Sequence, residues 1–297
     1  MGSQALRELV VTMRAQRGMA PPDLTLEQRR QEMEDMQAQI PTPEDISHKD
    51  VDMNGIPGRW IKAPGVRDDA VVLYFHGGGY VMGSLNTHQE VMSRISRACG
   101  ASVLGVDYRL APEAIFPAAV EDAVASFDWL IGQGISPGKV VFGGDSAGGG
   151  LTYATLVSLR DSGRPLPAGA FSFSPWTDLT SSGDSMKTRA EADPMIEEAL
   201  ISSIAPLYYG EQDPSAPLIS PLFADLTGLP PQLIQVGDAE VLLDDALRIA
   251  DKARKDGCKV THHVFDEAFH VFQAMPQLPE AEEAMAEVGA FFKSVVC

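Results

Sequence analysis

The chain has 297 residues, 44% of them apolar and 7% aromatic, enough for one sizeable globular core with room for an accessory piece. Its 41 acidic and 23 basic residues give a formal net charge of −18, a surface that repels phosphate and so excludes nucleic acid and anionic membranes as partners. No apolar run approaches the roughly 18 residues of a membrane helix, and residues 1–10 lack the basic-then-apolar order of a secretory signal, so a cytoplasmic location is expected.

In chain order, two amphipathic helices come first. Leu6, Leu9, Val10 and Met13 recur at helical spacing, and Gly18 with Pro21-Pro22 ends that run. Thr25 followed by Gln28 reads as a capping box opening a second helix. Leu26, Met33, Met36 and Ile40 lie on one side of it, and Pro41 and Pro43 close it. Both apolar faces need a partner, and the mouth of the site is the expected place.

From about Ser47 strands alternate with helices. Strands are expected at 59–63, 70–75, 102–107, 139–143, 170–174, 232–236 and 260–265, and helices near 88–99, 117–131, 147–161, 244–256 and 280–293. Near-continuous apolar runs such as Val71-Val72-Leu73-Tyr74-Phe75 suit a sheet covered on both faces. The alternation predicts an α/β fold with a mostly parallel sheet, its ligand site beyond the carboxyl ends of the strands. Between 174 and 232 the rhythm breaks into turns around a short helix near 197–208, read as an insertion over the site.

Cys99, Cys258 and Cys297 are far apart and odd in number, with neither a disulfide framework nor metal-ligand spacing. His262 and His263 are neighbours in an expected strand and face opposite ways, so no shared metal is expected there. No histidine–carboxylate cluster has ligand spacing either, so no metal is expected.

A serine hydroxyl attacks an ester only with a base in contact and donors for the oxyanion. The G-x-S-x-G elbow provides an exposed serine at a sharp strand-to-helix turn. It occurs at Gly144-Asp145-Ser146-Ala147-Gly148, and again at Gly134-Ile135-Ser136-Pro137-Gly138. Chance yields about 0.1 matches in a chain this long, so context must separate the two. Ser136 follows a helix and precedes a strand, which makes it a connecting loop. Ser146 follows a strand and precedes a helix, and it is the candidate nucleophile.

Upstream, His76-Gly77-Gly78-Gly79-Tyr80 follows the strongest strand, with a backbone able to aim N–H groups at an oxygen. In this arrangement a further donor comes from the residue after the nucleophile, here Ala147. His76 is read as ordering its loop rather than acting as a base. Chain order in this fold runs serine, carboxylate, histidine. After Ser146 the histidines are His262 and His263, inside a strand, and His270, in the loop that follows and therefore the candidate base. The carboxylate follows the strand at 232–236, where Asp238, Glu240, Asp244 and Asp245 are all available.

With these motifs in view, the chain resembles the hormone-sensitive-lipase family of bacterial esterases, in the branch whose elbow reads GDSAG. The match runs from about residue 45 and includes HGGGY at 76–80, DYRLAPE at 107–113, FPAAVEDA at 116–123, GDSAGG at 144–149 and SPW at 174–176. The resemblance implies the α/β-hydrolase fold, with N-terminal cap helices over 1–45 and a catalytic domain over 46–297 that carries a cap insertion at about 185–215. It also implies hydrolysis of short- to medium-chain acyl esters without metal or cofactor, and Gly78, Gly79 and Ala147 as oxyanion donors. The family's G-M-x-H-x-F string falls on Glu267-Ala268-Phe269-His270-Val271-Phe272 without its glycine and methionine, keeping the histidine. Its G-x-x-D-x-L-x-D string aligns onto 237–244 and puts Glu240 in the acid position, with Asp238 the rival and Asp244 a helix-start cap. Asp107, Arg109 and Asp122, within the matching strings, are read as structural. Homologues often pair through the last edge strand, here 260–265, which makes a homodimer through it one candidate assembly, with the oligomeric state left open by the residues.

The alternatives are an amidase or peptidase on the same triad, a true lipase, and a non-catalytic ligand-binding protein of the same fold. No residue demands amide cleavage. The acidic, moderately polar cap does not suit insoluble fat, and a protein without catalysis would lack a triad member.

Overall fold

The structure, a computed structural model, describes residues 1–16 and 24–296. Gly18, Pro21, Pro22 and Cys297 lie outside the described residues. The strands are β1 (Ser47–Asp52), β2 (Pro57–Lys62), β3 (Arg67–Phe75), β4 (Ala101–Val106), β5 (Val140–Asp145), β6 (Gly169–Phe173), β7 (Gln232–Gly237) and β8 (Val260–Phe265). They form one eight-stranded sheet in the order β1-β2-β4-β3-β5-β6-β7-β8. β2 runs antiparallel to both β1 and β4, and all later pairings are parallel.

The helices are α1 (Gln4–Gln16), α2 (Leu26–Gln37), α3 (Gln89–Cys99), α4 (Ala118–Gly132), α5 (Ala147–Asp161), α6 (Ser185–Thr188), α7 (Glu198–Tyr209), α8 (Leu243–Lys255) and α9 (Pro279–Val295). β4, β5, β6 and β7 are buried along their whole length, as their apolar runs require. One face of the sheet packs on α4, α5 and α8 through residues such as Phe127, Leu151 and Ile249, and the other on α3 and α9 through Ile95, Val288 and Phe292.

β1 has no counterpart among the expected strands. Its sequence, SHKDVD, is exposed at nearly every position because it closes the sheet's outer edge, so it carries no apolar alternation. Among the described residues no helix is long and apolar enough to cross a membrane.

The two N-terminal helices dock differently. α1 buries Leu6 and Val10 against Phe265, Phe269 and Phe272, around the loop that carries His270, and not at the mouth of the site. Arg7 pairs with Glu267 at 3.2 Å, and Arg14 donates to the Ala192 carbonyl at 2.6 Å. α2 begins with the expected capping box on Thr25 but buries no residue completely. Polar ties hold it instead: Arg30 donates to the Val81 carbonyl at 2.7 Å and pairs with Glu113 at 2.8 Å. Its Met33 and Met36 face the cavity above Ser146.

Candidate active site

The candidate site residues stand at the carboxyl ends of neighbouring strands: His76–Gly79 after β3, Ser146 after β5, Ser174 after β6, Glu240 after β7 and His270 after β8. The elbow is built by close approach. A Cβ on Gly144 would lie 2.3 Å from the Gly148 carbonyl oxygen, and one on Gly148 would lie 2.0 Å from the Phe75 carbonyl oxygen. Only glycine lets β5 turn so tightly into α5. Ser146 sits between them at φ 52° and ψ −120°, a strained conformation costing about 1–3 kcal/mol. Its N–H donates to Phe173 at 2.8 Å, and its carbonyl accepts Trp176 N–H at 2.9 Å, which hold the strain in place. The decoy Ser136 lies in the loop that leads through a short turn at Pro137–Lys139 into β5.

His270 Nε2 lies 2.9 Å from Ser146 Oγ, and its Nδ1 lies 2.7 Å from Glu240 Oε2. Burial, the largest influence on His270, would lower its pKa; the hydrogen bond and charge of Glu240, with the Asp193 and Asp145 carboxylates, raise it above the ordinary 6.5. Glu240 is fully buried, and its other oxygen accepts Ser174 Oγ and Gly237 N–H, each at 2.7 Å. Asp238 does not touch the histidine; its Oδ1 accepts Glu267 N–H at 2.6 Å, tying the turn after β7 to the one after β8.

Asp244 and Asp245 also serve elsewhere. Asp244, expected as a cap of its own helix, instead accepts Ser185 N–H at 2.9 Å at the start of α6, while the residue before α8 makes no side-chain cap. Asp245 accepts the N–H groups of Thr177 and Asp178, both at 2.8 Å. Burial, with repulsion from Asp178, pushes its carboxyl up to about 8.

Gly78 and Gly79 line the same cavity as Ser146. Gly78 has φ +112°, and a Cβ there would lie 2.2 Å from the Met82 carbonyl oxygen. Ala147 opens α5, so its N–H has no intrahelical acceptor and points from the positive end of the helix. His76 is buried, stacked on Tyr108 with ring centroids 4.3 Å apart, and burial pushes it down to about 3, which suits a loop-ordering role.

Two residues near the chemistry escaped the sequence reading. Ser174 donates to Glu240 and accepts Val271 N–H at 3.0 Å, joining the acid to the histidine loop. Asp145, the variable position of the elbow, accepts Tyr74 Oη at 2.8 Å and Gly77 N–H at 3.0 Å, with His88 Nε2 3.4 Å away. Burial alone would raise the Asp145 carboxyl, yet His88 and the Tyr74 hydroxyl together bring it below its ordinary value. Their positions inside SPW and GDSAG were the available signal.

Arg109 grips Asp122 through Nε, at 3.0 and 2.9 Å, and through its backbone N–H at 2.8 Å, which pins the segment after β4 onto α4. None of Asp107, Arg109 and Asp122 lines the cavity. His262 contacts Arg254 of α8, whereas His263 pairs with Glu287 of α9 at 2.8 Å, on opposite faces as their alternation requires. Folding does bring His263, Glu283 and Glu287 together with ligand atoms within 4.8 Å, a grouping that sequence spacing did not show; none of the three lines the Ser146 cavity.

The cavity holds about 340 Å³. Its walls are mostly apolar: Met33 and Met36 from α2, Met195 and Ile196 before α7, Leu200, Ile201 and Ile204 on α7, and Met275 beyond His270, with Arg29, Glu32 and Gln37 of α2 beside them. The insertion reaches the glycine loop directly, since Tyr80 stacks on Tyr208 with centroids 3.8 Å apart.

The chain matches the family described as the alpha/beta hydrolase fold over residues 72–274. It is 46% identical over 236 residues to an acetyl-hydrolase of Streptomyces hygroscopicus, covering 79% of each chain, and 34% identical over 252 residues to an esterase of Acinetobacter venetianus, covering 84% of this chain and 83% of that one. Among solved structures, it superposes on an esterase from the bacterial hormone-sensitive lipase family with a TM-score of 0.96 and 46% identity, covering all of both chains. A hormone-sensitive lipase from a metagenome library gives a TM-score of 0.96 at 34% identity, again over both whole chains. The chain belongs to the α/β-hydrolase-fold family, among the esterases of the hormone-sensitive-lipase type.

Proposed function

We propose that this protein is a serine carboxylesterase that cleaves short- to medium-chain acyl esters of small molecules through Ser146, His270 and Glu240. The observation that carries the reading is the bridge made by one imidazole, 2.9 Å from Ser146 Oγ on one side and 2.7 Å from Glu240 on the other. Esterase and acetyl-hydrolase relatives support ester hydrolysis as the reaction class.

In the first step Ser146 Oγ bonds to the ester carbonyl carbon while its proton passes to His270 Nε2. The N–H groups of Gly78, Gly79 and Ala147 receive the oxyanion of the tetrahedral intermediate. Its collapse breaks the bond to the alcohol oxygen, which takes the proton from His270 and leaves acyl-Ser146. Water then attacks the acyl carbon as His270 removes its proton, and the second collapse releases the acid and returns that proton to Ser146. Glu240 stays ionised, holding the imidazole in one tautomer and stabilising its cation.

A cavity of about 340 Å³ walled by methionine, leucine and isoleucine favours a modest acyl chain. The test is a kcat/KM series on p-nitrophenyl esters from acetate to palmitate, with the corresponding anilide beside them. A maximum among the shorter chains and negligible anilide cleavage are expected. A maximum at palmitate, or anilide turnover matching the ester, would replace this reading with a lipase or an amidase.

A further inference from the structure

Between the acyl cavity and the triad acid lies a carboxylate that the steps above do not use. Asp193, in the insertion between α6 and α7, is fully buried. Its Oδ1 accepts the N–H groups of Met195 and Ile196 at 2.8 and 2.9 Å, both of which wall the cavity. Its Oδ2 accepts the N–H of Val241 at 2.9 Å, the residue directly after Glu240. One side chain thus fixes the cavity wall and the acid's turn, 48 residues apart in sequence.

We propose that Asp193 is a positioning residue of the triad, coupling the wall of the acyl cavity to the turn that presents Glu240 to His270. The inference rests on the esterase reading above. Three N–H groups, that of Val241 buried and those of Met195 and Ile196 partly so, converge on a carboxylate that accepts through both oxygens, so nothing smaller or donating satisfies them all. The charges facing His270 are Glu240 from the turn after β7, Asp193 from the insertion and Asp145 from β5, and each favours the imidazolium. An acyl chain that shifts Met195 or Ile196 therefore pulls on the same carboxylate that holds the Glu240 turn.

The test is Asp193→Asn, nearly identical in shape. Its amide puts a donor against either the Val241 N–H or the Met195–Ile196 pair, releasing the turn or the wall. kcat and KM are measured across pH on acetate and hexanoate esters, with thermal unfolding alongside. Expected are a kcat lower by roughly tenfold or more, an acid limb of kcat/KM moved to lower pH, and a changed acetate-to-hexanoate ratio. Asp193→Glu, which keeps the charge, should hold the acid limb while kcat stays low, and it carries the test if the asparagine variant does not fold. A lowered unfolding midpoint with wild-type kcat, acid limb and ester ratio would overturn the inference, as would Asp193→Glu with wild-type kcat and ester ratio. Ser146→Ala serves as the control: turnover persisting there defeats the esterase reading itself, whereas an inactive Ser146→Ala beside a wild-type Asp193→Asn defeats only this inference.

Discussion

Asp145 accepts the backbone N–H of Gly77 at 3.0 Å, so the residue before Ser146 holds the loop that carries Gly78 and Gly79. The elbow and the glycine loop are thereby tied together, although 68 residues separate the partners. Asp145→Ala removes the Oδ1 on which Tyr74 Oη and Gly77 N–H both converge, and the Oδ2 that faces His88. It should lower kcat by roughly tenfold or more by displacing the donors and cost about 1–3 kcal/mol of stability. Steady-state rates on p-nitrophenyl acetate and a denaturant titration check both. Unchanged kcat in a destabilised variant would make Asp145 a stability residue only.

Glu240 and Asp238 are separated by their contacts. Glu240→Ala leaves His270 Nδ1 without its partner, and kcat should fall by about 10³- to 10⁴-fold. Asp238→Ala loses one hydrogen bond to Glu267 N–H and should cost less than about tenfold. Circular dichroism spectra of both variants should match the wild type. The reverse ranking would move the acid role to Asp238.

The pH dependence follows from His270. It must be neutral at Nε2 to accept the serine proton, and its pKa is raised by Glu240 against the opposing pull of burial. As pH falls through that raised value the imidazolium accumulates and the rate is lost. The acid limb of kcat/KM should therefore lie above pH 6.5, the ordinary histidine value. Glu240→Gln removes the charge, lets burial prevail and should carry the limb of its residual activity below that of the wild type. A limb at or below 6.5 in the wild type would mean that desolvation outweighs Glu240.

The N-terminal helices should fail in different ways. Leu6 is fully buried beneath the loop carrying His270, so Leu6→Ala should cost about 2–5 kcal/mol of stability. Met33→Trp narrows the cavity from α2 and should shift the acyl preference toward shorter chains with little loss of stability. Denaturation midpoints and an ester-length series distinguish the two. An acyl shift in Leu6→Ala with none in Met33→Trp would reverse the assignment of the helices.

Local strings made much of this site legible. Gly144, Ser146, Gly148 and the glycines at 77–79 occur together because each tight turn needs its glycines close in sequence. His270 could be chosen because its rivals lie inside a strand. β1 stayed hidden because an exposed edge strand needs no apolar face. Glu240 and Asp238 could not be told apart from residue types alone, because β7 runs on through Gly237 and turns the Asp238 carboxylate toward Glu267. Ser174 lies 66 residues from the carboxylate it supports, and no local pattern encodes that contact. The grouping of His263 with Glu283 and Glu287 arises only when α9 packs on the sheet.

The central claim is that Ser146 is the nucleophile. The direct measurement is stoichiometric labelling with an organophosphate, mapped by peptide mass spectrometry in the wild type, Ser146→Ala and Ser136→Ala. The account predicts one phosphorylated residue, Ser146, with label and turnover lost together in Ser146→Ala and both retained in Ser136→Ala. Phosphorylation of Ser136, or undiminished turnover by Ser146→Ala, would contradict it.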